Sequence, residues 1–150
     1  MAVGSGGRTL KRLARLRELE EEQSRLELEL AARRRAEVAE NVNAAVAAQA
    51  TGRRSFVSGV VQGDGLERLA GLTAMRQAEG RRTALMPHLA EADRQLAVER
   101  EEYLARRTER RQVDTLLAEQ RAEEQREAAH RAQQMLDDWY GRKRKPAEAR

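Results

Sequence analysis

The chain of 150 residues contains no cysteine and only four aromatic residues, Phe56, Tyr103, Trp139 and Tyr140. Without thiols, disulfides and thiolate metal sites are excluded, and a reducing compartment is the natural setting. With so few aromatics, and with alanine supplying much of the apolar count, the chain can bury a narrow seam rather than a thick core. Long apolar runs are also missing. No stretch approaches the ~20 residues of a membrane-spanning helix, and the opening MAVGSGGRTLKRL has no apolar signal core. Any membrane association is therefore expected to be peripheral. Only two prolines, Pro87 and Pro146, interrupt helix-forming sequence.

Charge is abundant. Asp, Glu, Lys and Arg make up 36% of the residues, and Ala, Glu, Leu, Arg and Gln, all good helix formers, dominate the composition. This is the composition of long helices or coiled coil. The net charge is +4, but residues 1–141 carry 24 basic and 24 acidic groups, while residues 142–150 carry five basic groups against Glu148. The body is balanced and the excess belongs to the end, which argues against a uniformly basic nucleic-acid-binding surface.

Apolar spacing predicts an all-α fold: a long two-helix antiparallel coiled-coil hairpin whose second helix is the longer. Residues 1–8 read as a flexible, glycine-rich N-terminus. Thr9 can cap a first helix over 9–51. Leu10, Leu13, Leu16, Leu19, Leu26, Leu30, Val38, Val42, Ala45 and Val46 recur at helical intervals and form its expected apolar stripe. Glu21–Arg25 and Glu29–Arg33 have the spacing of i,i+4 pairs. Gly52 is a natural C-terminal stop. GRRSFVSGVVQGDG, residues 52–65, reads as an interhelical loop, with Phe56, Val57, Val60 and Val61 packed over the end of the pair. Asp64 and Glu67 form a capping-box variant that starts the second helix, 66–141.

In that helix Leu85, Leu89, Ala92, Leu96, Glu99, Tyr103, Arg106, Arg110, Val113 and Leu117 step by four and three, an a/d heptad register. A weaker stripe, Ala128, Ala132, Met135 and Trp139, resumes after an eleven-residue step, where the supercoil is expected to relax. Pro87, with no amide proton, predicts a kink or a break. Gly141 is expected to end the helix, and 142–150 reads as a basic disordered tail. At ~1.5 Å per residue the two helices span roughly 65 and 115 Å. Folded about the 52–65 loop, residue i faces about residue 116 − i. The last thirty or so residues of the second helix are then expected to have no partner within the chain. That unpaired end carries Met135, Leu136, Trp139 and Tyr140, which points to docking on another protein.

No catalytic, cofactor-binding or metal site is expected. His88 and His130 are far apart and lie in no H-x-x-x-H or E-x-x-H spacing. The carboxylates sit on helical faces beside arginines, and the glycine stretches match no phosphate loop. RKRK at 142–145 has the charge to touch nucleic acid or anionic lipid, but four basic residues at a helix end are read first as a solvated tail.

Leu10-Lys-Arg-Leu13-Ala-Arg-Leu16-Arg-Glu-Leu-Glu-Glu-Glu22 resembles the first helix of the flagellar FliJ family, the small coiled-coil component of bacterial type III protein export. Gln134-Met-Leu136-Asp137-Asp138-Trp139, followed by basic residues, resembles that family's ending. Length, two-helix layout and a glycine-containing connection fit as well.

The resemblance implies a stalk that inserts into the pore of a hexameric export ATPase, contacts the membrane-embedded export-gate protein and handles export chaperones. The location it implies is cytoplasmic, at the inner membrane through the export apparatus. Its docking ends would be Leu10, Leu13 and Leu16 together with Ala128, Ala132, Met135, Leu136, Asp137, Asp138, Trp139 and Tyr140. The needle-type secretion homologue is an alternative to the flagellar one. A generic coiled-coil adaptor or homodimer, whose overhang pairs with its own copy, is the second expectation. A nucleic-acid or membrane-surface binder acting through the basic tail is the third.

Overall fold

The computed structural model describes residues 3–144, with side chains from Gly6 to Lys143. Two α-helices, α1 (Val3–Gln62) and α2 (Gly65–Arg144), form an antiparallel hairpin with the second helix longer, and no strand occurs among the described residues. The chain divides into two compact units: Glu22–Ala105 around the turn, and the part of α1 up to Glu21 with the part of α2 from Arg106.

The turn is much shorter than the expected 52–65 loop. Gly63 alone adopts a left-handed conformation, with φ 74°, which a residue without Cβ reaches at no steric cost. Asp64 then caps α2 as expected: its Oδ1 accepts from the Leu66 amide at 2.9 Å and the Glu67 amide at 3.1 Å. Residues 52–62 are helical because their glycines serve close packing. A Cβ on Gly59 would lie 2.6 Å from the Arg68 amide nitrogen, and one on Gly71 would lie 2.7 Å from the Gly52 carbonyl oxygen. Glycine here lets two backbones meet, a use distinct from its role in turns. Phe56 is half-buried beside Gly71, whereas Val57, Val60 and Val61 are exposed instead of covering the helix ends.

Helix α1 also begins earlier than predicted, so Thr9 is an interior helical residue and Val3–Arg8 are helical; residues 1–2 lie outside the described residues. Helix α2 runs through Gly80, Pro87 and Gly141 without a break and continues to Arg144. The expected tail at 142–150 is therefore helical over its first three residues, and the remainder lies outside the described residues.

These longer helices change the register. Within the turn unit Phe56 meets Gly71 and Arg35 pairs with Asp93; in the other unit Arg17 pairs with Glu109 and Gly7 lies beside Gln120. Facing residue numbers thus sum to about 127 in each unit, rather than 116, because the turn sits at 63–64 and not in the middle of a long loop.

The core is a seam of small residues. Ala31, Val42, Ala45 and Ala78 are buried in the turn unit, with Ser24; Val113 and Leu117 are buried in the other. The heptad positions Leu85 through Leu117 all face the seam. Of the apolar stripe expected on α1, Leu10, Val38, Val42 and Ala45 face inward, whereas Leu13, Leu16, Leu19, Leu26, Leu30 and Val46 are exposed. Their places are taken by Ala14, Arg17, Glu21, Ser24, Leu28 and Arg35.

Candidate docking site

The seam of the Arg106-containing unit is closed by a layer of charge. Arg17 Nη1 donates to Glu20 Oε2 and Glu109 Oε2, both at 2.7 Å. Arg106 Nη1 lies 3.4 Å from Glu109 Oε2 and 3.7 Å from Glu20 Oε2. Arg110 donates to Glu21 Oε2 at 2.9 Å, with Glu18 and Asp114 within 4 Å. That hydrogen bond to Glu21, ahead of the nearby negative charges, raises the Arg110 pKa above its ordinary value. Glu21 is therefore spent across the seam, and the neighbouring Arg25 pairs with Glu22 rather than with Glu21. The Arg17 Nε is buried without a partner. In the sequence Arg106 and Arg110 stand as polar positions within a largely apolar heptad register. The signal that identifies them as paired is the run Glu18-Leu-Glu20-Glu21, which faces them in the observed register.

Past this layer α2 soon loses its partner. Gly7 lies against Gln120, and every side chain from Glu123 to Lys143 is exposed. The overhang predicted by sequence is real but shorter, about twenty residues or ~30 Å instead of thirty residues. On it Ala132, Met135, Leu136 and Trp139 line one shallow apolar depression. Met135 is 73% exposed and Trp139 50% exposed. The Trp139 and Tyr140 rings meet edge to face, with centroids 4.9 Å apart and planes at 79°. Lys143 Nζ lies 4.0 Å from the centre of the Trp139 ring, a cation–π contact that covers one ring face. Asp137 and Asp138 occupy the same turns and are exposed.

The structure separates the two groups of predicted docking residues. Leu10 faces the seam opposite the region of Leu117, and Leu13 and Leu16 point outward beside it. Ala128 begins eleven residues beyond Leu117, or about 16 Å further along α2. They are two adjacent surfaces of one unit, not one patch. The histidines join neither. His130 Nε2 lies 3.1 Å from Gln134 Nε2, and His88 lines an open groove with Arg34, Glu37 and Glu91. Among the described residues no cluster of three or more metal-ligating side chains occurs, and no helix is long and apolar enough to cross a membrane.

Two long antiparallel helices, with an ionic layer in the Arg106-containing unit and an exposed apolar stretch of α2 beyond it, define a coiled-coil protein. The family model for the flagellar FliJ protein matches residues 7–144. The chain belongs to the FliJ family, and so to the coiled-coil proteins of flagellar export. No curated protein and no solved structure matches it.

Proposed function

We propose that this chain is the non-enzymatic stalk of the flagellar export apparatus: it docks in the pore of the hexameric export ATPase, stimulates it, and links it to the membrane export-gate protein and to export chaperones. Residues 128–140 are the observation that carries the reading. An apolar cluster is held on helix that no other part of the described chain covers, and a solvated helix end has no reason of its own to keep Trp139, Met135 and Leu136 together.

The mechanism is differential packing. A helix end with Met135, Leu136 and Trp139 on one face, and Asp137 and Asp138 beside them, is asymmetric. Set inside a ring of identical subunits, it contacts them unequally. It can shift each subunit only by the difference in its contacts with that subunit's conformations. Leu13 and Leu16, on the exposed outer side of α1, supply a second contact on the same end of the hairpin. In this role the protein is cytoplasmic, associates with the inner membrane only through its partners, and serves motility by serving flagellar assembly. No gate-contacting residue is assigned.

Truncation after Gln133 tests the proposal. It removes the apolar cluster but leaves the ionic layer and the seam intact. Stimulation of the cognate export ATPase should fall to near the unstimulated rate while the circular dichroism of the hairpin persists. Undiminished stimulation rejects the docking role.

A further inference from the structure

The bare end of α2 is complementary to a second copy of itself. The seam with α1 runs through Val113, Leu117 and Gln120, and its continuation in the same register would be Glu124, Glu127, Arg131, Gln134 and Asp138, all polar. The apolar stripe of the overhang, Ala128, Ala132, Met135 and Trp139, lies one residue later, a rotation of about 100° around the helix. It is therefore a separate face, not an extension of the groove that α1 fills.

This stripe has an internal symmetry. Laid antiparallel on its own copy about a two-fold axis between Gln133 and Gln134, it sets Trp139 opposite Ala128 and Met135 opposite Ala132. Each large side chain meets a small one, twice over, as interdigitated packing requires. Leu136 then lies beside Ala129 and widens the apolar strip. On the flank Arg131 meets Asp138, also twice. Asp138 has no ion-pair partner among the described residues, and Arg131 bonds only through Nε, to the Glu127 carbonyl at 3.3 Å. A parallel pairing instead sets tryptophan against tryptophan and leaves voids between facing alanines.

We infer that residues 128–139 form an antiparallel homodimer contact, a closed isologous interface. A contact of about three turns falls at the small, transient end of the interface range, so the dimer forms at roughly tens of micromolar and above and dissociates on dilution. It covers the surface that the proposed ATPase docking uses. Resting on that reading, the further consequence is that the stalk stores its docking end in a dimer and releases it as a monomer.

Sedimentation velocity of the full chain from about 5 to 300 µM should show reversible monomer–dimer exchange. Arg131→Asp and Asp138→Arg each place like charges opposite one another twice and should weaken the dimer at least about tenfold. The double variant R131D/D138R reverses both partners and should restore affinity to within about threefold. The chain has no cysteine of its own, so orientation can be read by cross-linking. A mixture of the Ala132→Cys and Met135→Cys chains should form a disulfide-linked pair that Met135→Cys alone does not.

A chain that stays monomeric over the whole range overturns the inference. So does failure of the double variant to restore affinity, or cross-linking by Met135→Cys alone. These outcomes leave the truncation assay on the ATPase unaffected. Conversely, undiminished stimulation after truncation removes the docking proposal and leaves the dimer measurement standing.

Discussion

Gly71→Ala and Gly80→Ala, both within α2, should move stability in opposite directions. Both replace glycine inside a helix, where alanine is favoured by about 0.8–1 kcal/mol. At Gly80 a Cβ meets nothing within 4 Å, so the whole gain should appear. At Gly71 the new carbon would lie 2.7 Å from the Gly52 carbonyl oxygen and 2.8 Å from Phe56 Cα, with the Phe56 amide nitrogen nearer still. All three are backbone atoms, so no side-chain rotation relieves the contact and the two helices must part.

Overpacking of this kind costs about 1–3 kcal/mol, which offsets the propensity gain and leaves a net loss near 1 kcal/mol. The two variants should therefore differ by about 2 kcal/mol, or roughly 4–8 °C in Tm for a chain of this length. Thermal unfolding followed by circular dichroism at 222 nm measures it. If Gly71→Ala stabilises as much as Gly80→Ala, the backbones do not approach at the glycine seam and the account of residues 52–62 as close-packed helix is wrong.

Asp64→Ala removes the acceptor for two amides at the start of α2 and should cost about 1 kcal/mol in urea unfolding, while Asp64→Asn should recover most of it. Arg110→Leu strands Glu21, whose side chain is only 15% exposed, and should lower the midpoint of urea unfolding. The double variant E21L/R110L should recover that loss, because it leaves no carboxylate without its partner in the seam. Arg110 has a raised pKa in the fold. Its contribution is complete below the unfolded value and is lost only as pH climbs through the higher folded value. Arg110 should therefore add no slope to a plot of Tm against pH from neutral to moderately alkaline conditions, and Arg110→Leu should leave the shape of that plot unchanged.

The register of α2 was legible because its heptad runs unbroken from Leu85 to Leu117, and every position on that list is buried or half-buried. The cap at Asp64 was legible because it depends on neighbours three residues away. The glycines of 52–59 misled, since the same residue serves a turn and a close helix crossing. Only the partner backbone at Arg68, Gly71 and Met75 tells the two apart. The overhang was visible as an imbalance in helix length, but its start depended on where the turn sat.

The face of α1 was the least legible feature, and the ionic layer explains why. Leu13, Leu16 and Leu19 compete for the inside with Arg17, Glu20 and Glu21, whose face is centred about a quarter turn around the same helix. Fully burying a leucine is worth about 1.5–3 kcal/mol. Turning α1 to do so would swing Glu20 and Glu21 away from Arg106 and Arg110, which the heptad of α2 fixes in the seam. Two guanidinium groups, each about a third exposed, would then lose their carboxylate partners across the seam. Burying Leu16, now 51% exposed, would in turn recover only part of a leucine's worth. The arginines of α2 thus decide which side of α1 turns inward, and the leucines are left outside as a consequence of that pairing.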